Sequence, residues 1–150
     1  MKLFIRALVM VGLASGLWLA VTWSVDAAGE ADSETLALGG SIYAANCATC
    51  HGANLEGQPD WKSPLASGRF PAPPHDASGH TWHHPEEVLF RIVKEGTAAI
   101  VGGGYQSDMP GFGEVLSDEE IQAVLAYIKG TWPERERSFH ERVSRAASEE

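Results

Sequence analysis

Cysteine, methionine and positive charge are all scarce in this 150-residue chain: two cysteines, three methionines, and 11 Lys and Arg against 20 Asp and Glu, for a formal net charge of −9. Two cysteines cannot staple a small disulfide scaffold, and the acidic balance disfavours a nucleic-acid partner. There is no internal repeat, and no segment alternates apolar and polar residues convincingly enough to read as a strand. What is present, 44% hydrophobic and 21% charged residues, is the composition of a globular protein of one domain, or one domain with a tether.

Long apolar runs are missing except at the start. Lys2 and Arg6 precede residues 7–25, an uncharged stretch rich in Leu, Val, Ala and Trp. Val25-Asp26-Ala27 suits cleavage after Ala27 as a signal peptide, and the apolar run is also nearly long enough to remain as a membrane anchor. The basic residues lie ahead of the run, so either way the remainder is delivered outside the cytoplasm. The expected location is periplasmic or otherwise extracytoplasmic, soluble after cleavage or associated with a membrane through residues 7–25. The expected layout is 1–27 leader or anchor, 28–34 linker, 35–132 folded domain and 133–150 charged C-terminal extension.

Within the domain, Leu36, Gly39 or Gly40 and Tyr43 fall at helical spacing. They predict a first helix that ends near the cysteines, its glycines marking a close helix crossing. Residues 52–80 are rich in Gly, Pro, Asn, Asp and Ser and read as loop. A second helix has Pro85 at its first position, Glu86 and Glu87 in its first turn, a stripe of Val88, Leu89, Ile92 and Val93, and Gly96 at its end. Ser117-Asp118-Glu119-Glu120 is a capping box for a third helix, with Ile121, Val124, Leu125 and Ile128 on one face and Gly130 and Pro133 stopping it. Residues 133–150, with Glu141 and Arg145 at i,i+4 spacing, read as a solvated, partly helical extension. The fold class is therefore all-α. Three helices and long loops bury too little apolar surface for a core of this size, so a non-protein group is expected in the middle.

Cys47-Ala48-Thr49-Cys50-His51 supplies that group. This is the C-x-x-C-H spacing of covalent c-type haem attachment, in which each thiol adds to one vinyl group and the next residue is carried beneath the iron as its proximal ligand. The competing readings are a redox dithiol and half of a zinc site. The first lacks a surrounding βαβ pattern, and the second lacks another ligand pair. With this motif on the page, the chain resembles a class I monohaem cytochrome c of the bacterial periplasmic type over residues 35–132. Gly40-Ser41-Ile42-Tyr43 resembles that family's first helix, Leu125-Ala126-Tyr127-Ile128 its last, and Ser107-Asp108-Met109-Pro110-Gly111-Phe112 the loop that supplies its distal methionine. The resemblance implies a small cytochrome c fold of about three helices and long loops wrapped around one covalent haem. It also implies a proline carbonyl that accepts from the His51 ring. Pro64 is the best match for that proline, with Pro71, Pro73 and Pro74 competing.

The methionine count points to the same distal ligand independently. Met1 and Met10 lie in the leader, so Met109 is the sole methionine of the exported domain, and a thioether on a Gly/Pro loop is poorly explained as core filler. A histidine ligand or an open site are the alternatives. His75, His80, His83 and His84 crowd into ten residues, and three readings compete for them: a second metal such as copper or zinc, replacement of Met109 on the iron, or ordinary loop and helix-start residues with His84 as N-cap. The sequence offers no general base, nucleophile or open metal position, so the expected function is non-enzymatic: one-electron transfer by a His/Met-ligated haem. Redox proteins with a basic docking face are the expected partners. The rival readings are a haem subunit of a larger dehydrogenase or oxidase complex, and a metal-handling protein that uses the histidine cluster.

Overall fold

Two adjacent glycines set the main helix crossing. The computed structural model describes residues 33–149; the apolar stretch 7–25 and the cleavage point after Ala27 lie outside the described residues. Helix α1 covers residues 33–46 and crosses α5 (Asp118–Gly130) at Gly39 and Gly40. A Cβ on Gly39 would run into the Ala123 carbonyl, and one on Gly40 would lie 3.2 Å from the Tyr127 ring. Only a residue without a side chain lets the two backbones come so close. The crossing buries Ile42 and Tyr43 of α1 against Ile121, Val124, Leu125 and Ile128 of α5, the centre of the core.

The other elements are α2 (Ala48–His51), a single 3-10 turn (Thr81–His83), α3 (Glu86–Glu95), α4 (Thr97–Val101) and α6 (Glu134–Ser148). Among the described residues there is no β-strand. α3 packs against α4 and α5, and adds the buried Leu89 to the core. The Ser117 capping box forms as the sequence predicts, the hydroxyl accepting from the Glu120 N–H at 3.2 Å and the Glu120 carboxylate from the Ser117 N–H at 2.8 Å. This all-helical, loop-rich architecture is the fold class expected from the sequence.

Three local expectations are corrected. Pro85 is the N-cap of α3 rather than its first residue, and displaces His84 from that role: with ψ at 153° it is still extended, so winding begins at Glu86. α4 was not foreseen, because five residues between Gly96 and Gly102 carry too little periodicity to read. The largest correction concerns the C-terminal segment, which is a 15-residue helix packed on the 3-10 turn and α3, not a solvated extension. Its contacts are mostly polar, which hides them from hydrophobic pattern reading. The Ser144 hydroxyl accepts from the Glu86 N–H at 3.0 Å and so caps α3 from outside. The buried His140 donates from Nδ1 to the His84 carbonyl at 3.0 Å, and its Nε2 lies 2.8 Å from a Glu86 carboxylate that also takes Lys129 at 2.7 Å. Phe139 stands edge-on to Trp82 at 5.3 Å.

Candidate functional site

The backbone around Cys47 is wound so that two thiols and an imidazole share one turn. The Cys47 N–H donates to the Tyr43 carbonyl at 2.9 Å, and the Cys47 carbonyl accepts from both Cys50 and His51, at 3.1 and 2.9 Å. Cys47 thus stands at the N-terminus of α2, and Cys50 and His51 lie within its single turn. Gly52, at φ +83°, ends the turn in the left-handed region that favours glycine. Both cysteines are free thiols, Cys47 half-buried and Cys50 exposed. Burial and the neighbouring Cys50 push the Cys47 thiol up to about 11. That is opposite in direction to the lowered thiol a redox dithiol uses.

His51 is buried at 7% exposure, and its Nδ1 donates to the Pro73 carbonyl at 2.8 Å. This leaves Nε2 as the ring nitrogen available to a metal. Burial lowers the His51 pKa against the smaller raising effect of the Pro73 carbonyl, which favours the neutral, metal-binding ring. The carbonyl belongs to Pro73 and not to Pro64, and the reason lies in a backbone clamp. Gly57 donates to the His51 carbonyl at 2.8 Å and Gln58 to the Ala72 carbonyl at 2.9 Å, while the Gln58 side chain accepts from the Ala72 N–H at 2.8 Å. A Cβ on either Gly57 or Gly79 would collide with Pro74. Threaded between these glycines, the Pro73-Pro74 segment is held against His51. Pro64 sits instead in an exposed turn closed by Leu65 N–H to Arg69 O at 2.9 Å.

Met109 is held quite differently. Phe112 donates to the Val93 carbonyl at 2.9 Å and Gly113 to the Lys94 carbonyl at 3.0 Å, so the loop is pinned to the last turn of α3. A Cβ on Gly111 would lie 2.7 Å from the Lys94 carbonyl oxygen, and one on Gly96 2.8 Å from the Gly111 nitrogen. Next to these pins the Thr97 hydroxyl donates to the Met109 sulfur at 3.3 Å, and the Met109 N–H donates to the Ser107 hydroxyl at 3.1 Å. An Arg69–Asp108 ion pair ties the loop to the 60s turn. Thr97 escaped the sequence reading because donor and sulfur are twelve positions apart and share no pattern. Cys47 on one side, and Phe112 and Val93 on the other, pack against the same core.

These donors suit a haem. Two free thiols, an imidazole with Nε2 to spare and a thioether are a c-type donor set. Two buried nitrogens, His80 Nδ1 and Trp82 Nε1, have no hydrogen-bond partner among the described residues. Buried polar atoms are normally satisfied, and a group carrying carboxylates would satisfy these.

The four clustered histidines do not converge. His75 stacks on His51 and His80 on Trp61, with ring centroids 4.0 and 5.2 Å apart. His83 stands edge-on to Trp82 at 3.8 Å, and His84 edge-on to His80 at 5.3 Å. Among the described residues no three His, Cys, Asp or Glu side chains are grouped to hold a metal ion.

The comparisons with known proteins agree with this donor chemistry. The chain is 26% identical over 91 residues to the Cbb3-type cytochrome c oxidase subunit FixP of Sinorhizobium medicae (strain WSM419), an alignment covering 60% of this chain and 28% of that protein. The chain therefore spans little more than a quarter of the curated relative it matches. No solved structure matches. The family model for cytochrome c matches residues 36–132, a stretch that runs from α1 to Trp132 and takes in the C-x-x-C-H turn, the methionine loop and the glycine-dependent crossing of α1 and α5. A match of that extent, on residues whose geometry suits covalent haem c, places the chain in the cytochrome c family, the haem-based electron-transfer proteins.

Proposed function

We propose that this chain is a class I, monohaem electron carrier in which Cys47 and Cys50 form the two thioethers, His51 is the proximal ligand and Met109 the distal one. The observation that carries the reading is the His51–Pro73 hydrogen bond, which commits Nδ1 to a carbonyl and directs Nε2 to a metal. When bound, the haem supplies one-electron Fe(II)/Fe(III) cycling. The protein's residues do the rest. Cys47 and Cys50 would prevent its dissociation, the Pro73 carbonyl would raise the basicity of His51, and Met109 as a ligand would exclude oxygen chemistry and raise the potential. Residues 1–27 act as a signal peptide or anchor that delivers the 35–132 domain outside the cytoplasm, and the acidic surface favours redox partners with a basic face.

Expression in a host able to attach haem tests this reading. The expected product keeps its haem after denaturation and shows, when oxidised, the weak far-red sulfur-to-iron charge-transfer band. Absence of the band from the folded wild type overturns the Met109 assignment.

Similarity to a cytochrome c oxidase subunit supports a second reading, in which the chain is a haem subunit or tethered domain of a larger oxidoreductase complex. That reading predicts co-purification with a large partner from native membranes. A free monomer that titrates reversibly counts against it.

A further inference from the structure

Of the clustered histidines, His75 reaches the ring of His51, and the function proposed above makes no use of that contact. The two imidazoles lie 4.0 Å apart, centroid to centroid, with 22° between their planes. His75 is itself tightly held. Its N–H donates to the Leu55 carbonyl at 2.8 Å, its carbonyl accepts the Trp132 indole N–H at 2.7 Å, and its Nδ1 lies 2.9 Å from the Thr81 hydroxyl. The Tyr43 ring stands edge-on to it at 6.2 Å.

A hydrogen bond to one ring nitrogen restrains where an imidazole points, whereas a flat group against its face restrains its plane. Residues 73–75 do both to His51, Pro73 at the edge and His75 on the face. We infer that His75 is a positioning residue that holds the His51 imidazole in one plane at the iron; the inference rests on His51 being the proximal ligand. The plane of an axial imidazole orients the iron orbital that holds the unpaired ferric electron. One ring plane kept in both oxidation states limits the rearrangement that accompanies electron transfer.

Low-temperature EPR of the ferric holoprotein reads that plane directly. H75F keeps a flat ring and is expected to retain the wild-type g values. H75L removes it and is expected to shift and broaden the low-field g feature while haem content and the low-spin optical spectrum stay unchanged. T81V leaves the imidazole but removes its Nδ1 partner, and is expected to broaden the same feature by less. Wild-type g values and line widths in H75L overturn the inference, as they do in T81V if H75L fails to accumulate as holoprotein. H51A separates this inference from the reading beneath it. A low-spin spectrum retained in H51A removes His51 from the iron and both conclusions fall together, whereas its loss alongside an unchanged H75L overturns the role of His75 alone.

Discussion

The two sides of the site are built on opposite plans. On the proximal side the donors follow one another along a single helical turn, and the clamp around them is backbone threaded between glycines: Gly57 and Gly79 pass against Pro74, and the Pro73 carbonyl is held at His51. On the distal side one thioether sits on a loop that makes no regular structure of its own. That loop is located by two hydrogen bonds to the end of α3, two close-packed glycines, the Thr97 hydroxyl and an exposed ion pair. On the function proposed above, the proximal side would secure its cofactor covalently and tolerate loss of a hydrogen bond, whereas the distal side would depend on tertiary restraint, which makes the Met109 sulfur the softer target.

Experiments can break this contrast, beginning with the largest effect. Replacing both Cys47 and Cys50 with Ala is expected to abolish covalent haem, read as complete loss of haem staining on a denaturing gel. Met109→Ala is expected to leave haem attached and the domain folded, but to remove the far-red band and lower the midpoint potential by about 0.1 V or more, within the wide range over which axial ligands set potentials. If both variants lost their haem, the two sides would not differ in kind. Gly79→Ala and Gly111→Ala each force a side chain into backbone atoms and are expected to cost about 2–3 kcal/mol by denaturant unfolding, the usual scale of overpacking. A smaller loss at Gly111 than at Gly79 would sharpen the contrast, since the distal loop has more room to yield.

Thr97→Val removes the donor to the Met109 sulfur. A hydroxyl donating to sulfur draws electron density from it and disfavours the ferric state, so the variant should titrate at a lower potential. A hydrogen bond worth about 0.5–1 kcal/mol corresponds to roughly 20–40 mV for one electron, with no effect on haem attachment. The smallest effect belongs to a control that touches neither side. Burial acts to raise the Glu86 pKa, but hydrogen bonds from Lys129 and His140 outweigh it and hold it below the usual carboxylate value. A lowered carboxylate stabilises the fold above its unfolded-state pKa and loses that contribution as pH falls through the folded-state value. Glu86→Gln should therefore cost about 1 kcal/mol or less near neutrality, discounted because the side chain is 40% exposed, and nothing measurable once Glu86 is protonated in both the folded and the unfolded protein. The check is the melting-temperature gap between the two proteins across that range.

Legibility in the sequence followed the same division. The turn that brings Cys47, Cys50 and His51 together is legible because it spans adjacent residues, and adjacency is visible in a string. The Ser117 capping box and the stop at Gly130 were readable for the same reason, since caps act within one turn. Gly39 and Gly40 signalled a close crossing by their cost to the helix, and the crossing is there. The proline was misassigned because four prolines compete and only the Gly57–Pro74–Gly79 threading selects Pro73. The histidine group suggested a metal because ten residues of chain hold four imidazoles, yet turns at 76–79 and 81–83 point them at different neighbours. The packing of helix α6 is hidden from pattern reading because His140 and Ser144 are polar, and their partners Glu86 and His84 lie more than fifty positions away.

By itself, then, the sequence determined the cofactor, its attachment turn, the all-helical class and the strong helix ends, all of them set by interactions that span a few residues. Only the tertiary structure decided which carbonyl meets His51, which hydroxyl meets the Met109 sulfur, that His75 lies against the proximal ring, and that the C-terminal segment closes onto α3. Each of these joins groups separated by 12 to 58 positions. Contacts of that kind leave no periodicity in the chain, because they come into being only when loops without a pattern are brought together by the packing of the elements that have one.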